Sequence, residues 1–73
     1  DVRGWTLDVL HVVQKVPAEL LSLADIYTFE KELAQKHPYN RNVRPKIRQQ
    51  LQVLRDLGLL EFRGDGKYKL VRT

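Results

Sequence analysis

The stretch VRPKIRQQLQVLRD, Val43–Asp56, is helical in its apolar spacing and one-sided in its charge. Val43, Ile47, Leu51 and Leu54 recur at helical intervals and fall within about a quarter of the helix circumference, so this is the face expected to be buried. Arg44, Lys46, Arg48 and Arg55 sit between them with three glutamines, and no acid appears before Asp56. Pro45, Arg48, Gln49 and Gln52 point away from the apolar face; Arg44 and Arg55 line one flank and Lys46 the other. Glutamine can donate to and accept from adenine at N6 and N7, and arginine can fork onto guanine at O6 and N7. Flanking cations suit phosphates, which set register and carry no sequence information. The pattern therefore marks Arg48, Gln49, Gln52 and Pro45 as base-facing in a major groove, with Arg44, Lys46 and Arg55 on the backbone.

The segments around this helix give it a context. Asn42 is placed to cap it, Pro45 falls in its first turn, where a missing N–H costs little, and Gly58 stands at a natural C′ position. Beyond it, Leu60/Phe62 and Tyr68/Leu70 alternate on either side of Gly64-Asp65-Gly66, a hairpin signal. Upstream, Thr6 reads as the N-cap of a first helix ended by Pro17, with Asp8 in its first turn. Leu7, Val9, Leu10, Val13 and Val16 form its expected buried stripe, with Trp5 packing back from ahead of the cap. The run ELLS (19–22) looks like a short strand. Ser22, with Asp25 three residues on, opens a second helix that His37-Pro38 closes. The order helix, short strand, helix, helix, strand, turn, strand predicts an α+β, mainly helical fold: a winged helix-turn-helix of three helices plus a C-terminal β-hairpin wing, one domain over residues 1–73.

Charge agrees with this reading. The chain has 73 residues, net charge +4 and no cysteine, so neither disulfides nor thiolate metal sites are available. Residues 1–39 carry four bases and six acids, a net of −2, while residues 40–73 carry nine bases and three acids, a net of +6. A domain polarised in this way presents one cationic side, the footprint of a polyanion binder. Arg41, in the loop before the third helix, and Arg63, Lys67 and Lys69, in the wing, join the expected backbone contacts. The longest apolar runs are two residues, so neither a membrane span nor a signal-peptide core is present.

Catalytic and metal chemistry find no support in the residue pattern. His11 and His37 have no partners at ligand spacing. Glu30 and Glu32 lack an acid–base arrangement, and Ser22 serves better as a cap than as a nucleophile. GDGK (64–67) lacks the spacing and the following helix of a phosphate loop.

The stretches RGWTLDVL (3–10), LADIYTFEKEL (23–33), KIRQQLQVLRD (46–56) and LEFRGDGKYKL (60–70) resemble the C-terminal winged-helix domain of DpnI-type restriction endonucleases, over essentially the whole chain. Enzymes of that family cleave DNA at 5′-GATC only when the adenine carries an N6-methyl group. An N-terminal PD-(D/E)XK domain makes the cut with divalent metal, and the winged helix is a second reader of the site. The resemblance thus implies a duplex DNA partner, adenine-methylated, and no cofactor. It implies a monomeric module joined to a nuclease domain and working in a bacterial or phage-type cytoplasm. No PD-(D/E)XK motif is present, so no catalytic carboxylate or metal ligand of the family falls on a position here. Arg48, Gln49 and Gln52 match the family's base-facing residues, Lys46 and Arg55 its flanking cations, and Gly64, Gly66, Lys67 and Tyr68 its wing. The run YNRNVRP (39–45) departs from the family pattern. N6-methylation leaves one donor on N6 and adds an apolar methyl, so a reader needs an apolar contact beside a purine-reading glutamine. Pro45 is the outward candidate on the helix; Trp5 is the other apolar surface, with core packing its expected role. A methylation-indifferent regulator and a protein-docking winged helix are the alternatives. The latter needs an exposed apolar patch where the third helix and wing carry charge.

Overall fold

The computed structural model describes residues 2–71, so Asp1, Arg72 and Thr73 lie outside it. Helix α1 runs Val2–Lys15 and begins ahead of Thr6, which lies inside the helix and does not cap it. The reason is tertiary. Among the described residues of α1, Trp5, Val9, Val12 and Val13 are buried, and this stripe draws the turn before Thr6 into the helix. The buried face is rotated from the expected one: Leu7 is 48% exposed, and Leu10 and Val16 are half-buried at the edge of the core. Asp8, mid-helix, accepts from His37 Nε2 at 2.6 Å and lies 3.7 Å from Lys36 Nζ.

Strand β1 (Leu20–Ser22) forms where ELLS was expected to be extended, and Ser22 caps the next helix, α2 (Leu23–Tyr27). The capping box is complete: the Asp25 N–H donates to Ser22 Oγ at 3.1 Å, and the Ser22 N–H donates to Asp25 Oδ2 at 2.9 Å. The expected single second helix is two. It breaks at Thr28, whose hydroxyl donates back to the Asp25 carbonyl at 2.6 Å, a bond that competes with helix continuation. The Thr28 and Phe29 N–H groups reach three residues back, to Asp25 and Ile26, at 3.3 and 3.0 Å. Helix α3 (Glu30–Lys36) then resumes and ends at His37, ahead of Pro38. The described residues therefore form four helical segments in place of three, with α2 and α3 together filling the place of the second.

Helix α4 is Val43–Asp56. Ile47, Leu51 and Leu54 are fully buried and Val43 half-buried. A Schellman motif ends it: the Leu59 N–H donates to the Leu54 carbonyl and the Gly58 N–H to that of Arg55, both at 2.9 Å. Gly58 sits at φ 78, where a Cβ is unfavourable.

Strands β2 (Leu60–Gly64) and β3 (Lys67–Leu70) make the hairpin. Asp65 and Gly66, at φ 51 and 69, form its two-residue loop, both in the left-handed region as a type I′ turn requires. Register runs Leu60↔Leu70, Glu61↔Lys69 and Phe62↔Tyr68, then shifts so that Gly64 faces Lys67 and Arg63 is the extra residue of a bulge. The antiparallel sheet has order β1-β3-β2, with Leu21 opposite Tyr68. One core joins Trp5, Val9, Val12 and Val13 of α1 to Leu21, Ile26, Leu33, Ile47, Leu51, Leu54 and Leu60.

Candidate nucleic-acid interface

The direction in which α4 presents its polar side is set from within. Gln50, 1% exposed, was not singled out by the periodicity, yet it turns inward with Ile47, Leu51 and Leu54. The Thr6 hydroxyl donates to its Oε1 at 2.5 Å, joining residues 44 apart in the chain. This bond ties α1 to the centre of α4 and leaves Gln49 and Gln52 as the outward glutamines. Pro45, Arg48, Gln49 and Gln52 are all exposed, in accordance with the helical projection.

The cations around that face are held in different ways. Arg44 Nε donates to Glu30 Oε2 at 2.7 Å, and its guanidinium lies 4.6 Å from the centre of the Tyr27 ring. The Glu30 hydrogen bond and charge hold Arg44 protonated still more firmly than a free guanidinium. Arg48 Nη1 donates to the hydroxyl of the same Tyr27 at 2.8 Å. Arg55, at the far end of α4, lies over the Phe62 ring at 4.6 Å and reaches Asp56 at 3.3 Å, bridging helix and wing. Lys46 is half-buried and Arg41 exposed.

The loop into α4 differs from expectation in its cap. Asn42 holds the N-cap position but makes no side-chain cap bond; its N–H instead donates to Asn40 Oδ1 at 2.9 Å. Asn40 is thus the residue that shapes the turn, and the Asn42 backbone angles, φ −112 and ψ 61, depart from those of a capping residue. Tyr39, beside it, is 98% exposed. An aromatic residue in the otherwise polar run PYNRN was the sequence signal for it. Trp5 belongs to the core at 4% exposure, its ring stacked on His37 with centroids 4.0 Å apart and planes 15° from parallel.

In the wing, Lys67 starts β3 beside the turn, opposite Gly64 and Ser22. Arg63 projects from the bulge and pairs with Glu61 at 3.3 Å. Phe62 and Tyr68 meet edge to face, centroids 4.9 Å apart, and stiffen the hairpin. Lys69 approaches Glu19 at 3.6 Å and lines a separate groove, about 700 Å³, with Val13, Val16 and Pro17.

Asp25 lies below the usual carboxylate range because the Ser22 backbone N–H and then the Ser22 hydroxyl stabilise its anion, and Lys67 adds attraction from the wing. Glu32 is lowered chiefly by the Lys15 ammonium, 2.8 Å away. Among the described residues no group of three His, Cys, Asp or Glu side chains could hold a metal ion, and no helix is long and apolar enough to cross a membrane.

The helical projection accounts for the exposure of Pro45, Arg48, Gln49 and Gln52 on α4 but not for what stands beside them. Tyr27 and Glu30, on the two short helices, hold Arg48 and Arg44. The helix order, the β1-β3-β2 sheet, the cation-bearing helix and the hairpin beside it define a winged helix-turn-helix, a class of DNA-binding domain. Residues 1–70 match the Dam-replacing HTH domain family (DpnI_C), and the chain belongs to that family.

Proposed function

We propose that this DNA-binding domain inserts α4 into the major groove of duplex DNA and reads N6-methyladenine in a 5′-GATC site, as the sensor of a methylation-dependent restriction endonuclease. The observation that carries the reading is the outward face of α4. Arg48, Gln49, Gln52 and Pro45 are exposed together on a helix whose opposite side is locked into the core. In this reading Gln49 and Gln52 take adenine edges, Arg48 takes guanine, and Pro45 offers the apolar contact that a methyl group needs. Arg41, Lys46, Arg55, Arg63 and Lys67 contact the backbone and fix register. Lys69 pairs with Glu19 and contributes to the overall cationic field. The cut itself belongs to a nuclease domain joined to this one, and this chain supplies recognition without catalysis.

Fluorescence anisotropy tests the reading on three duplexes: GATC methylated on both strands, unmethylated GATC, and a scrambled site, each across a salt series. Binding that favours the methylated duplex supports it. Equal, salt-sensitive binding to all three would leave a methylation-indifferent DNA-binding winged helix and refute the methyl-adenine assignment.

A further inference from the structure

The two short helices beside α4 hold two of its three exposed arginines differently. Arg44 is held by a carboxylate, with Nε 2.7 Å from Glu30 Oε2. Arg48 is held by a phenol, with Nη1 2.8 Å from Tyr27 Oη. A carboxylate neutralises the cation it binds, whereas a hydroxyl orients it and leaves its charge intact. Tyr27 ends α2 and Glu30 begins α3, so the break at Thr28 brings both to the same side of α4. The Tyr27 ring lies against Arg44 while its hydroxyl takes Arg48, so one side chain spaces the two guanidiniums.

The geometry points to Tyr27 and Glu30 as a specificity clamp: Tyr27 aims a fully charged Arg48 along the reading face, and Glu30 withholds Arg44 from phosphate. The inference rests on α4 facing DNA, as proposed above, and assigns roles to two residues that are not on α4. Non-specific affinity grows with the number of phosphates neutralised, so withholding one cation weakens binding to every sequence alike. An arginine already held in one orientation gives up less freedom on meeting a base, which favours the matched site. Both effects widen the ratio between specific and non-specific binding, the quantity that matters among many competing sites.

The test uses Tyr27→Phe, which keeps the ring under Arg44 but removes the acceptor for Arg48, and Glu30→Gln, which removes the carboxylate charge that neutralises Arg44. Circular dichroism melts check that both variants fold. Anisotropy is measured on the three duplexes across the same salt series. Glu30→Gln is expected to tighten binding to all three and to steepen the log–log salt slope by about 0.9, one added phosphate contact. Tyr27→Phe is expected to lower the preference for methylated GATC over the scrambled site by roughly threefold to tenfold with the slope unchanged. In the free protein, the Arg48 guanidinium bound to Tyr27 is expected to give a resonance of its own in ¹H–¹⁵N spectra, and Tyr27→Phe to abolish it. An unchanged or shallower slope in Glu30→Gln, or an unchanged preference and Arg48 resonance in Tyr27→Phe, would overturn the clamp. Wild-type chain that binds all three duplexes alike refutes the methyl-adenine reading alone, because the Glu30→Gln slope and the Arg48 resonance still decide the clamp. Wild-type chain that binds no duplex overturns both.

Discussion

Thr6→Val removes the donor to Gln50 while keeping the size and β-branching of residue 6, so shape and helix propensity change little. Gln50 is 1% exposed, so its Oε1 has little access to water in place of the lost hydroxyl. A buried acceptor left without a donor costs about 1–3 kcal/mol. A domain of 73 residues has roughly 4–11 kcal/mol of stability in all, so the loss is a substantial share. The expected fall in Tm is about 4–20 °C. Gln50→Met in the Thr6→Val background removes both polar partners at nearly constant volume and leaves nothing buried and unpaired. The double variant should therefore be more stable than Thr6→Val alone, by at least about 1 kcal/mol. Urea unfolding of the four proteins closes a double-mutant cycle, which cancels whatever else Thr6 contributes. A Thr6→Val protein within about 0.5 kcal/mol of wild type, or a cycle that adds to within roughly 0.5 kcal/mol, would refute the interhelical lock.

Gln49→Ala should cost about 1–3 kcal/mol on the preferred duplex and leave the scrambled site unaffected in anisotropy. Lys67→Ala should instead weaken all three duplexes alike and shallow the salt slope by about one unit; equal losses from both variants on every duplex would erase the division between base readers and backbone anchors. Leu54→Ala, at a fully buried position of α4, should destabilise the fold by about 2–5 kcal/mol in urea titration, and a smaller cost would place that side chain outside the core. The Asp25 carboxyl should titrate by NMR below its ordinary value of 3.8 and return toward it in Ser22→Ala. Because folding depresses this group, its stabilising effect is complete above the unfolded value and fades as the pH falls through the folded one, so a cap that strengthens on acidification would contradict the capping box.

What the sequence determined by itself was everything that near neighbours along the chain decide. The stripe of Val43, Ile47, Leu51 and Leu54 specified α4 and its outward face because a helix repeats every 3.6 residues regardless of surroundings. The Ser22–Asp25 box, the Gly58 stop and the Asp65–Gly66 turn were legible because each is closed by hydrogen bonds or backbone angles within a few residues. The tertiary structure decided where distant segments compete for the same atoms. Thr6 could cap a helix or donate to Gln50, 44 residues away, and packing of Trp5 in the core chose the second. The same contact rotated the α1 stripe, leaving Leu7 exposed and Val12 buried. At Thr28 the choice between continuing the helix and bonding back to Asp25 went to the break that brings Tyr27 and Glu30 beside α4. A linear charge pattern shows how many cations a helix carries, but only the fold shows which of them a neighbouring acid has already neutralised, because ion pairing depends on distance in space.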